Sequence, residues 1–298
     1  MEHKVLFTSD LHGNEFQYRK LVNYATKIPA DSIIIGGDIA PKTPRIRSYG
    51  LESIIDGQRY FLEKKLPRLL SPLKKKLPSS KLFLIMGNDD CSTNLEALER
   101  NDPNLFQQIH GRRIKIGNGL DIVGYSYVPI TPFGIKDWDK YDLSEVPDAL
   151  LSDYKIRKAT NYDLYGYKST KLGWKKFQFK PEMEKTDSIQ RDLSQEEFRK
   201  DADKTIYVFH SPPNRTNLDQ VDKNIHVGSF AIRQFIENQQ PYLTLHGHIH
   251  DTIENSGNYR QNIGKTLCLT SGNDDNDPKL SVLLFDLYDP LNAVRKVI

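Results

Sequence analysis

Seven side chains able to hold a metal ion fall where short apolar runs stop. Asp10 and His12 follow "KVLFTS", Asp38 follows "SIIIGG", Asn88 follows "KLFLIMG", His210 follows "TIYVF", and His248 and His250 follow "YLTLHG". Two carboxylates, one amide and four imidazoles make a mixed oxygen and nitrogen set. Such a set suits Mn, Fe, Zn, Ni or Co and is too rich in nitrogen for a dedicated Mg or Ca site. Seven donors exceed the needs of one tetrahedral ion. If one carboxylate is shared, two divalent ions can each hold four protein ligands. Taken singly, each element has an ordinary reading: Asp38 as a helix cap, Asn88 as a turn residue, His210 as a hydrogen-bonded core histidine. The conjunction of five strand ends, each carrying a suitable residue, points to one metal centre.

The elements that must position these residues are legible as alternation. Each of the five apolar runs reads as a buried strand followed by a loop. Between the first three lie helical spacings, "EFQYRKLVNYATKI" and "LESIIDGQRYFLEKKLPRLLSPLKKKL", so the chain is of the α/β class. Pro67 and Pro72 are expected to kink or break the second helix. Open α/β sheets bind ligands beyond the carboxyl ends of their strands, where all seven donors lie. After His250, short strands separated by Gly, Asn and Asp turns predict a second, partly antiparallel sheet. Residues 136 to 203 fit neither pattern and read as an insertion or cap within a single domain spanning 1 to 298.

Composition narrows the class further. The chain has 298 residues, enough for a large core without staples. Its two cysteines, Cys91 and Cys268, argue against a disulfide framework or a thiolate zinc site. A net charge of +3, from 42 basic and 39 acidic residues, implies no polyanionic partner by itself. The opening "MEHKVLFTSDLHG" reads as neither signal peptide nor membrane span, which leads us to expect a cytoplasmic protein with no membrane partner.

The motifs "DLH", "GGD", "GND", "FHSPP" and "GHIH" resemble those of the calcineurin-like metallophosphoesterases, over nearly the whole chain outside 136 to 203. Within that family, "PITPFG" and the run from "HSPPNRTNLDQ" to "LHGHIHDT" look most like the Icc-related phosphoesterases. The resemblance implies a four-layer α/β/β/α sandwich with two metals between the tops of two mixed sheets. It implies that Asp10, His12 and His250 hold one ion, that Asn88, His210 and His248 hold the other, and that Asp38 bridges them. The activity implied is hydrolysis of a phosphate ester, most simply a small diester, by a metal-bridging hydroxide.

One letter departs from the pattern. The family has a histidine after Gly-Asn that contacts phosphate and protonates the leaving oxygen, and here the residue is Asp89. Three readings follow: Asp90 matches the family's acidic position and Asp89 is a tolerated change; Asp89, or a histidine from elsewhere such as His226 or His246, supplies the proton; or catalysis is lost and a metal-binding scaffold remains. The string "SGNDDND" at 271 to 277 repeats the same letters beyond the last motif and reads as a turn, so removing the Asn273 side chain is expected to do almost nothing. From Asp153 to Lys180, eight Lys or Arg stand against two Asp among seven aromatics. That stretch keeps a nuclease acting on nucleic acid as the runner-up to a small-ester hydrolase.

Overall fold

The computed structural model describes residues 2–42, 52–155, 162–223 and 225–298. Its first sheet orders six strands as Asp289–Val297, Ser281–Asp286, β1 (Lys4–Thr8), β2 (Ser32–Gly36), β3 (Lys81–Ile85) and Gln107–Gln108. β1, β2 and β3 run parallel, and Ser281–Asp286 joins β1 antiparallel, with Leu6 opposite Leu284. The second sheet orders Arg260–Ile263, Thr266–Thr270, Leu243–His246, Thr205–Phe209, Leu120–Tyr125 and Arg113–Gly117. Its four central strands are parallel and its two outer strands antiparallel.

The five strands that carry the candidate ligands are thus divided between two sheets, three in the first and two in the second. The last two strands of the chain return to the first sheet rather than extending the second. Only the first part of the chain after the last histidines behaves as the turn pattern predicts.

Alternation along β1 explains the layering. Leu6 faces outward into a core shared with Leu21, Val22, Leu66 and Leu70, whereas Val5 and Phe7 face inward among Ile206, Val208, Leu243 and Leu245. A third core covers the far side of the second sheet, where Tyr207 and Phe209 meet Phe235 and Ile236 of the helix Phe230–Gln239. Two sheets face to face with helices on both outer sides make an α/β/β/α sandwich.

The helix α1 (Glu15–Lys27) starts where Asn14 accepts hydrogen bonds from the amides of Phe16 and Gln17. It buries Tyr18, Leu21, Val22 and Ala25, one face of a 3.6-residue period. The proline-bearing helix does not break. It runs from α2 (Glu52–Tyr60) through a π segment at Phe61–Lys65 into α3 (Leu66–Lys76). The extra residue in the π turn lets the Leu66 amide reach the Phe61 carbonyl, ahead of Pro67. Pro72 leaves the Arg68 carbonyl without its amide partner, and the Ser71 hydroxyl donates to it at 3.2 Å.

Residues 136 to 155 and 162 to 203 are tied into this frame at both ends. The indole of Trp138 donates to the Asp90 carbonyl at 2.8 Å, and Asp137 accepts the Ser92 amide at 2.8 Å. Leu143, Tyr154, Ile189, Leu193 and Phe198 join the third core. The hairpin of Tyr165–Thr170 and Gly173–Gln178 forms its own two-stranded sheet. Residues 156–161 of this segment lie outside the described residues. No described helix is long and apolar enough to cross a membrane.

Asp142, also in this segment, caps the helix Phe230–Gln239. Its carboxylate accepts the Ser229 hydroxyl at 2.5 Å and the amides of Phe230 and Ala231 at 2.7 and 3.2 Å, a buried negative charge at the helix's positive end. Asp142→Ala is expected to lower stability by about 2–3 kcal/mol, read from urea unfolding. A loss below about 0.5 kcal/mol would show that the segment's start is dispensable to the core.

Candidate metal centre

All seven sequence-predicted donors meet at the seam between the tops of the two sheets. Backbone bonds align the loops: the amides of Asp10, His12 and Gly13 donate to the carbonyls of Gly37, Asp38 and Ile39 at 3.0, 2.8 and 3.0 Å. Across the seam, the His248 amide donates to both Asp10 oxygens, at 3.0 and 3.2 Å. Asp10, His12, Asp38 and His248 all adopt positive φ, between 41° and 71°. They are four of the seven non-glycine residues with positive φ among the described residues, so unfavourable backbone is concentrated at this site. Glycine is needed here for room. A Cβ on Gly37 would overlap the His210 ring, and one on Gly87 would overlap both Asp38 and His210.

The donor atoms are spaced as ligands of shared ions. His12 Nε2 lies 3.4 Å from His250 Nε2 and 3.6 Å from Asp38 Oδ2. His210 Nε2 lies 3.0 Å from Asn88 Oδ1 and 3.4 Å from Asp38 Oδ2, and His250 Nε2 lies 3.7 Å from Asp10 Oδ1. Atoms held about 2.1 Å from one tetrahedral ion stand roughly 3.4 Å apart. Asp10, His12 and His250 form one such group and Asp10, Asp38 and His210 a second, so the residues present fit divalent metal. His210 Nδ1 is held at 2.8 Å from the Gly36 carbonyl, which orients Nε2 into the cluster.

The charges are interlocked. Burial acts against the charge of Asp38, but His210 and His12 outweigh it and hold the carboxyl below the usual carboxylate range. Burial pushes His12 down to about 4 and His248 down to about 3, so both are neutral. At His210 burial is overcome by Asp38, and at His250 by Asp10, raising each to about 9.

Asp89 points into the site. Its Oδ2 lies 3.8 Å from His12 Nδ1, and its own amide donates to Asp38 Oδ1 at 2.9 Å. Burial and the nearby Asp38 push its carboxyl up to about 7. Asp90 turns inward instead, accepting the amides of Ile39, Ala40 and Gly87 at 3.0, 2.8 and 2.9 Å. The two outside histidines are not brought to the cluster. His226 Nδ1 pairs with buried Asp219 at 2.7 Å, and its neighbours Ile225 and Val227 line the adjoining cavity in its place. His246 is buried between the Ser211 carbonyl at 3.0 Å and the Thr244 hydroxyl at 2.8 Å, and burial lowers it to about 3.

Two groups at the site escaped sequence reasoning. Lys42 lines the cavity and pairs with buried Asp275 at 2.6 Å. Asn273 is buried behind the metal loop, its Nδ2 donating to the Asp10 carbonyl at 3.2 Å and to Gln17 Oε1 at 3.0 Å while its Oδ1 accepts the Ser281 amide at 3.0 Å. The expectation that Asn273 is a passive turn residue is therefore corrected: it braces the backbone that presents Asp10. The only sequence signal was a second Gly-Asn-Asp after a buried strand.

Asn273→Ala is expected to cost about 1–3 kcal/mol of stability, because it orphans buried partners; a denaturation midpoint equal to that of the wild type would restore the passive reading. Metal uptake provides another check. His210 and His250 carry protons below about pH 9 in the metal-free protein and must lose them to bind, so affinity should rise with pH up to about 9. Titration calorimetry near pH 7.5, in buffers of different ionisation enthalpy, should detect release of up to about two protons per chain. Zero release would contradict this charge pattern.

A profile of the calcineurin-like phosphoesterases matches residues 3–252, a span that contains all seven donors. No functionally curated protein matches the sequence. Among solved structures, the TT1561 protein of Thermus thermophilus aligns over 100% of this chain and 99% of its own, at 16% identity and a TM-score of 0.55. A dimetal phosphatase from Danio rerio aligns over 99% of this chain and 95% of its own, at 14% identity and a TM-score of 0.47. The Thermus likeness is one of fold. The profile match spans most of the chain and takes in every strand end that carries a donor, and on that ground the protein belongs to the calcineurin-like phosphoesterase family, hydrolases that act on phosphate esters.

Proposed function

We propose that the chain is a dinuclear, metal-dependent phosphodiesterase acting on small phosphate diesters. The observation that carries this reading is the convergence of seven donors from two sheets beside a cavity of about 690 Å³. Asp10, His12 and His250 would hold one divalent ion and Asn88, His210 and His248 the other, with Asp38 between them. Bound there, Mn, Fe, Zn, Ni or Co would neutralise phosphate oxygens and make water a better nucleophile. The chain's own groups do the rest. Buried His210 and the left-handed loops hold the donors rigid before substrate arrives, which limits reorganisation during the reaction.

Hydrolysis joins a water oxygen to phosphorus, breaks one P–O ester bond and requires the departing oxygen to gain a proton. Asp89 Oδ2 is the carboxyl atom placed to hold that proton, at the cavity wall and 3.8 Å from His12. His226 is proposed only as a brace for the loop around Asp219. We read residues 136 to 203 as an insertion in one domain, with its ends built into the core and its hairpin beside the cavity.

The nuclease reading gains no support. Outside the metal donors, the cavity is lined by Asp89, Asp251 and Asp274 against Lys42 among the described residues, and the described lysines of the 153 to 180 stretch do not line it. An acidic rim repels a polyanion.

Asp89 provides the test. Above about pH 7, where Asp89 is mostly ionised, its carboxylate roughly 6 Å from the phosphate disfavours the extra charge of a monoester by on the order of 2–3 kcal/mol at an effective dielectric near 20, less once metals screen it. The wild type should therefore prefer diesters, and Asp89→His should raise the monoester rate relative to the diester rate by about tenfold. The readout is kcat/KM for bis-aryl and mono-aryl phosphates with Mn present. A ratio that stays constant, or moves toward diesters, would remove Asp89 from the reaction.

A further inference from the structure

Asp89 and Phe133 border two cavities. The larger continues past Val221, Ile225 and Ile249; the other, about 510 Å³, is lined by Ile54, Ile135, Tyr167 and Trp174. Apart from Asp89, the described lining of the second cavity carries no charge. Tyr167 and Trp174 come from the two strands of the hairpin. Trp174 is paired with Ser169, two residues from Tyr167, so the pleat places both rings on one face.

Phe133 is 52% exposed and lines both cavities. Its loop is nonetheless firmly held. Buried Lys136 donates to the Thr131 carbonyl at 2.6 Å and to Asp139 at 3.1 Å, and Asp139 also accepts the Thr131 amide at 2.8 Å. The Tyr167 amide donates to the Gly134 carbonyl at 2.8 Å, tying the hairpin to the same loop. Phe133 thus stands on a hydrogen-bonded loop at the boundary between the larger, mixed cavity and the smaller, largely apolar one.

We infer that the second cavity receives one ester arm of the substrate, an uncharged aromatic group stacked among Phe133, Tyr167 and Trp174, while the larger cavity receives the other arm. This rests on the phosphodiesterase reading above and names the substrate class: diesters with at least one aromatic arm. A phosphodiester has two arms diverging from one phosphorus, and here two cavities diverge from one carboxylate. No lysine or arginine is among the described lining residues to pair with a second phosphate, and the aromatic rings there favour stacking partners.

Phenyl hexafluoroisopropyl phosphate and methyl hexafluoroisopropyl phosphate share a non-aromatic leaving group and differ in the second arm, so only the first carries an aromatic group. With Mn, Trp174→Leu and Tyr167→Leu should each lower kcat/KM for the phenyl diester by about tenfold and change the methyl diester less than about threefold, since both side chains line the second cavity and not the larger one. Tyr167 is 38% exposed, so its variant tests the cavity without endangering the core. A loss shared equally by both diesters, or no loss in either, overturns the inference. If the wild type turns over neither diester with any metal, the phosphodiesterase reading fails, and the cavity is judged by binding alone. Diphenyl phosphate should then quench tryptophan fluorescence in the wild type, with dimethyl phosphate inert and Trp174→Phe unresponsive. The chain's other tryptophan, Trp138, is buried, so a quench that persists in Trp174→Phe, or none in the wild type, overturns the site.

Discussion

Two carboxylates, Asp10 and Asp38, are each only 2% exposed at the seam between the sheets, and the surrounding structure is organised to keep them charged there. Burying a charge is costly unless it is paired and hydrogen-bonded. Asp38 is met by the Asp89 amide, His12 and His210; Asp10 is met by the His248 amide and His250. These partners arrive from four different strand ends, His248 and His250 sharing one. The carboxylates therefore act as the point at which the two sheets must agree in register.

That demand accounts for the irregular backbone. Loops leaving parallel strands would carry their side chains away from one another, and positive φ at Asp10, His12, Asp38 and His248 turns them back. Such conformations persist only where the surroundings over-determine them. Asn273 behind Asp10, Asp90 beneath Ile39 and Ala40, and the Gly36 carbonyl on His210 supply that support. The supporting groups are polar, buried and distant in sequence, and they form the same kind of network as the donors they hold.

The segment after Tyr127 links this centre to the two adjoining cavities. Trp138 reaches under the Asp89–Asp90 turn, Asp137 takes the Ser92 amide and, through Ser169, the hairpin, and Lys136 with Asp139 stiffens the loop that carries Phe133. One short run of chain therefore braces the metal loop, positions the hairpin and sets the wall between the two cavities. A change of substrate range is more readily made on the hairpin than on these ties.

By itself the sequence supplied the α/β class, the five strand ends and the seven candidate donors that the fold brings together at the seam. Buried strands are continuous apolar runs, and ligand chemistry is a property of residue type. It did not determine which sheet each strand joins, because the apolar runs preceding His210 and Asp38 look alike. It predicted a helix kinked or broken at Pro67 and Pro72, where a π turn and a serine hydroxyl absorb the missing bonds and the helix continues. It separated Asn88 from Asn273, both in Gly-Asn-Asp, by their order along the chain, but gave no sign that Asn273 is buried and faces back toward Gln17. His226 was a reasonable donor until Asp219 claimed it, and Tyr167 and Trp174 gained a shared direction only from the pleat of their hairpin. In each case the deciding contact is made between side chains brought together by packing, and a linear pattern holds no information on which face of a strand or loop will find a partner.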